Sequence, residues 1–315
     1  MTKRDGVPKN QHYMNVGYLR RFSIDPNLKE REKLMIYRFG KGNNNFTEVK
    51  IVSQCSDLFY YSRINAVKFE KTLKILEDKF SEILDKLDEN QELSGEDEAI
   101  LLRGLIIQHL RTTAYRTEIE YIEVEKGEYR EYENSDRIID DAFRVYTLTK
   151  MVDDSGRHYS NLSSAVESGF RWGSPIDPKW KFINLILDVS KISTHRFVTS
   201  CRPVLLFETP DSEIVFSLII LPYSPEKVLI AYYEDYHELI EGKVGNISDI
   251  DYINSHIVIR AGDAILSDIK IQRNEKNSDV LDKIGNKSNL GYSNEEGINL
   301  EITTYKNQIS FLKSK

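Results

Sequence analysis

Seven apolar residues, Ile100, Leu101, Leu102, Leu105, Ile106, Ile107 and Leu110, crowd into one short stretch of this chain. At about 100° per residue they point in almost every direction around a helix, so the helix is stable only if other elements enclose it. The rest of the fold has to be arranged around this helix. Its start is marked at Ser94, whose hydroxyl can accept from the amide three residues on while Asp97 reaches back, with Glu96, Asp97 and Glu98 at the positive end of the helix dipole. Upstream, Phe69, Leu73, Leu76, Phe80, Ile83 and Leu87 recur at steps of four and three, one face of an amphipathic helix running from Ala66 to about Asp88. Together the two predict a helical hairpin with a buried second arm.

Other segments have a different texture. Residues 35–39 and 46–52 flank the Gly/Asn-rich run at 40–45 and read as a β-hairpin. Further helices are expected at about 135–153 and 160–171. Strands follow at 182–187, 197–199, 204–207, 214–221 and 228–232, punctuated by Pro203, Pro210, Pro222 and Pro225. One more helix at about 249–261 precedes Ala264, Ile265 and Leu266. Helices first and strands later predict an α+β fold, in which an N-terminal β-hairpin and a buried helical hairpin or bundle pack with a mainly antiparallel C-terminal sheet. We expect a single domain over residues 1–270, helical at about 62–172 and sheet-like at about 179–270. Residues 271–315 read as a polar linker with a candidate terminal strand at 300–305.

Composition limits the function classes. The formal charge of -7 makes the molecule as a whole repel nucleic acid and anionic lipid, so polyanion binding would have to be local. Cys55 and Cys201 stand far apart with no metal-type spacing, which reads as two small apolar residues in a reducing cytosol. The N-terminus has no apolar stretch behind its basic residues, and the run Ile214 to Pro222 is about half of what a membrane helix requires. A cytoplasmic protein without membrane contact is expected.

Some polar residues stand where burial makes them expensive. Gln108 and Arg111 lie three apart on the central helix, on the face that also carries Gly104 and Tyr115. A buried guanidinium without partners costs about several kcal/mol, so Arg111 must meet a carboxylate, carbonyls or a ligand anion. Two readings stay open: Arg111 ties the helix to a loop, or it binds an anion, since its planar donor fork suits phosphate or carboxylate. Arg116 could assist. Residues 8–22, PKNQHYMNVGYLRRF, precede any recognisable secondary structure and hold Gln11 and His12, whose imidazole titrates near neutrality and could act as a general base. The six histidines show no HxH or HExxH spacing, so no metal site or cofactor is expected. Ser200 ends a strand beside Cys201 and Arg202 without the GxSxG context of a hydrolase elbow.

These same residues carry a family likeness. Asn10-Gln11-His12-Tyr13 leading to Tyr18-Leu19-Arg20-Arg21-Phe22 resembles the QHYVPxFYLRxF opening of the bacterial domain of unknown function 4238 family. The LFYY at 58–61 and the stretch from Gln108 to Thr112 with Tyr115-Arg116 resemble further motifs of that family, the latter its QxLRTPxxR helix. Phe197 to Pro203 is similar to its FITSDNP strand, Leu221 to Pro225 to its PLSP element, and Ile253-Asn254 with Ala261 to its late helix. Where the family has Asp-Asn, this chain has Cys201-Arg202. The resemblance implies a cytosolic bacterial protein with no established reaction, in a family some of whose members are associated with defence against phage.

On that basis we expect His12, Gln108, Arg111 and Ser200 to line one pocket. The first functional expectation is a defence effector, a hydrolase or nuclease-like enzyme on a phosphate-containing substrate. In it His12 and Ser200 would be catalytic, and Gln11, Gln108, Arg111, Arg116 and Arg202 would bind the anion. The alternative is a non-catalytic sensor, binding or protein-interaction module of a defence system. Expected partners are a protein of that system, or a nucleic acid or nucleotide at a local basic pocket. A homo-oligomer is open.

Overall fold

The computed structural model describes residues 10–40, 45–58, 66–112, 176, 178–186, 196–207, 218–234, 250, 253–254, 256–257, 261 and 264–270. The expected helices at 135–153 and 160–171, Arg116, and the segment 271–315 lie outside them. The fold is α+β, with every strand pairing among the described residues antiparallel. The chain divides into two compact units, each assembled from two separated stretches: Met1–Tyr18 with Gln54–Pro178, and Leu19–Ser53 with Lys179–Lys315.

The first unit contains the helical hairpin. Helix α2 (Ala66–Asp88) buries Leu73, Leu76, Phe80, Ile83, Leu84 and Leu87 and exposes Ile75 beside charged residues such as Lys74 and Asp78. It ends in a left-handed residue, Asn90, with φ 54°, while the Gln91 amide reaches back to the Lys86 carbonyl at 2.9 Å. That six-to-one bond, with Asn90 donating to Leu87, satisfies carbonyls the helix end leaves open and turns the chain. Four residues later Ser94 caps helix α3 (Gly95–Leu110) in the expected capping box: the Asp97 amide donates to Ser94 Oγ, and the Ser94 amide donates to Asp97. Lys86 of α2 donates to both oxygens of Asp97 at 2.8 Å, so one carboxylate serves cap and hairpin together. Residues 99–109 of α3 are buried without a break, as the all-round apolar pattern requires.

The two arms approach closely at one point. A methyl group placed on Gly104 would lie 2.3 Å from Cδ2 of Phe80, so the Phe80 ring occupies the space that any side chain at 104 would need. This unit also holds a small sheet, β1 (Asn10–His12) paired with β4 (Ser56–Leu58). Residues 8–22, read as preceding any recognisable element, in fact contain β1 and the short helix α1 (Val16–Arg20). A three-residue strand and a five-residue helix are too short to show a period.

The second unit holds two four-stranded sheets. In one, β2 (Met35–Gly40) and β3 (Thr47–Lys50) form the expected hairpin, and β10 (Ala264–Ser267) lies on the other side of β2 with β6 (Thr199–Ser200) beyond it. The pairing Ile265 with Phe39 joins opposite ends of the sequence and places the N-terminal hairpin in a sheet with late strands. In the other, the order is β5 (Trp180–Ile186), β9 (Lys227–Tyr233), β8 (Leu218–Ser224), β7 (Leu205–Phe207). Pro222 sits in β8 at a register irregularity, the setting in which a sheet accepts a residue that cannot donate. Residues 250, 253–254 and 256–257 are helical, within the span expected for the late helix. Cys55 belongs to the first unit and Cys201 to the second.

Candidate functional site

The polar end of α3 meets the N-terminal peptide. Arg111, the C-cap residue, has a side chain only 4% exposed. Its Nη1 pairs with Glu77 Oε1 of α2, and its Nη2 donates to the backbone carbonyl of His12 at 2.6 Å. The requirement that a buried guanidinium find partners is therefore met by one carboxylate and one carbonyl from its own unit. Gln108, one turn earlier and also buried, donates through Nε2 to the Tyr13 carbonyl at 3.0 Å and accepts from the Asn15 amide at 3.4 Å. Two consecutive carbonyls, of His12 and Tyr13, are thus held by side chains three apart on the same helix face.

Asn15 completes the arrangement. Its Oδ1 accepts from the amides of Gly17 and Tyr18 at 2.6 and 3.3 Å, capping α1. Its Nδ2 donates to the Glu77 carbonyl at 3.2 Å. The same side chain therefore starts one helix and grips another. Gly17 fits closely here: an added methyl would lie 2.8 Å from Ser81 Oγ and 2.9 Å from Asn15 Oδ1, so one of those side chains would have to shift. On the opposite edge the Tyr13 amide donates to the Cys55 carbonyl at 3.1 Å, continuing the line of the β1–β4 pairing. Residues 10–15 form a strap fastened on both sides.

The candidate residues fall in both units. His12, Gln108 and Arg111 come together, but Arg111 engages the carbonyl of His12, and His12 itself is half-buried on β1. Gln11 lies next to it on β1, opposite Asp57. Ser200 and Arg202 belong to the other unit. There Ser200 is fully buried on β6, opposite Ile265, and its Oγ accepts from the Arg202 amide at 3.0 Å. Its hydroxyl thereby closes the strand end in a local turn. Arg202 is buried as well.

Two contributors to this arrangement, and one buried cation elsewhere on α3, escape a reading of the sequence. Glu77 follows Leu76 on α2 with nothing to distinguish it from other exposed-face carboxylates. Asn15, directly ahead of the Val16 helix, has the residue type and place of an N-cap. Arg103 lies inside the apolar run of α3 and is 0% exposed; burial pulls its guanidinium down to about 10. Among the described residues no group of three histidine, cysteine or acidic side chains could hold a metal ion, and no helix is long and apolar enough to cross a membrane.

The strap and the α3 end carry two of the likenesses noted in the sequence. Those at Phe197 to Pro203, Leu221 to Pro225 and Ile253-Asn254 fall in the second unit, and residues 59–61 of the LFYY likeness lie outside the described residues. Asn254 accepts from the Val198 amide at 3.0 Å and donates to the Arg196 carbonyl at 2.8 Å, holding the strand that leads to Ser200. Tyr223, fully buried in β8, donates its hydroxyl to Asn184 Oδ1 at 2.7 Å. The family model for DUF4238, described as a protein of unknown function, matches residues 10–270. The chain belongs to the DUF4238 family. That match runs from the first residue of β1 to the last described residue after β10. No curated protein and no solved structure matches the chain.

Proposed function

We propose that this DUF4238 protein is a non-catalytic binding module, a sensor or protein-interaction component of a cytoplasmic defence system against phage. The observation that supports the non-catalytic part is that the buried Arg111 already pairs with Glu77 and the His12 carbonyl. A phosphate-containing substrate captured by this arginine would compete with the carboxylate and the strap carbonyl for its donors. Such an exchange leaves Glu77 beside the incoming anion, and like charges at that distance repel. The defence setting rests on the family resemblance, and the partner is then a protein of that system or a nucleotide it produces.

A hydrolase or nuclease-like effector is the second reading. In its favour stands the half-buried His12, held beside the Arg111 guanidinium by the 2.6 Å bond to its carbonyl, where an imidazole could move a proton. Phage challenge of cells expressing the wild-type chain, His12→Ala and Arg111→Lys distinguishes the two. The binding reading predicts that His12→Ala keeps both its melting temperature and its protection. Loss of protection by a His12→Ala chain that melts like the wild type would overturn it in favour of catalysis. Protection by none of the three chains would remove the defence assignment itself.

A further inference from the structure

We draw no further inference here: the strongest candidate, the half-exposed apolar strand β5 at the end of its sheet, with Ile186 48% exposed, carries nothing because nothing in the structure shows what covers it.

Discussion

Replacing Arg111 by Met tests the clasp directly, because Met keeps much of the apolar stem while removing the charge and all donors. The variant leaves Glu77, whose side chain is 29% exposed, without its cation, and leaves the His12 carbonyl without its donor. Breaking a fully buried pair from one side costs about 3–5 kcal/mol. Partial access of water to Glu77 lowers that, so we expect about 3 kcal/mol. At about 2 °C per kcal/mol for a chain of this size, the melting temperature should fall by about 6 °C. Glu77→Gln keeps an acceptor at the same place and should cost about 1 kcal/mol, the net worth of an ordinary hydrogen bond difference. The double variant supplies the decisive number. If the two groups stabilise each other, Arg111→Met in the Glu77→Gln background should cost about 1–2 kcal/mol less than in the wild type, a coupling within the range of contacting charged pairs. Calorimetry or thermal shift at neutral pH measures all four corners. Strictly additive losses, or an Arg111→Met chain that melts with the wild type, would refute the clasp and restore Arg111 as a candidate ligand-binding group.

Other substitutions probe the remaining joints. Gly104→Ala gains about 1 kcal/mol of helix propensity but drives a methyl into the Phe80 ring, which typically costs about 1–3 kcal/mol, so a net loss is expected, smaller in a Phe80→Leu background; thermal denaturation decides, and a stabilised Gly104→Ala chain would show that the hairpin can spread. Burial pushes the Asp97 carboxyl up, but the hydrogen bonds from Lys86 and from the Ser94 amide and hydroxyl, with the Lys86 charge, outweigh it and hold the group below its ordinary value. Its folded value being depressed, Asp97 stabilises above the unfolded carboxylate range and loses that contribution as pH falls through the folded value, so the gap in melting temperature between the wild type and Asp97→Asn should shrink on acidification from pH 7 to below about 4. In the second unit Arg196 reaches Asp268 at 2.5 Å and Glu226 at 3.5 Å. Arg196→Met abandons both carboxylates and should lower the melting temperature more than Asp268→Asn, because burial already holds the Asp268 carboxyl above its ordinary value despite Arg196; equal losses would show that Glu226 takes no part.

What could be read in advance divides along a physical line. Helices α2 and α3 and their capping box are local: a period of 3.6 or a Ser–Asp spacing is complete within one turn or two, so the sequence displays the cause whole. The β2–β3 hairpin is legible for the same reason. The partner of β2 on its other edge is not, because pairing Phe39 with Ile265 is decided by which apolar strand arrives there, and many would fit the same pleat. Arg111 occupies the middle ground. Burial of α3 implied that the cation must be met, and desolvation requires that of any enclosed guanidinium; whether Glu77, a loop carbonyl or a ligand would meet it depends on how α2 lies against α3.

Arg103 is the stronger case of an enclosed cation. It stands at the centre of the seven apolar residues that demanded enclosure, whereas Arg111 lies at the helix end, where a side chain can reach outward. The degree of burial follows that order, with Arg103 0% exposed and the Arg111 side chain 4%. An arginine within an all-round apolar helix is a stronger signal than one at its terminus, because a terminal cation also gains from the negative end of the helix dipole and from open carbonyls, while a central one has neither. Arg111 shows the terminal case: it caps α3 with its backbone, donating to the Ile107 carbonyl, and spends its side chain on the strap. Its position thus accounts for a structural use of the charge without a ligand, and this is why the binding reading looks beyond Arg111 for its recognition surface.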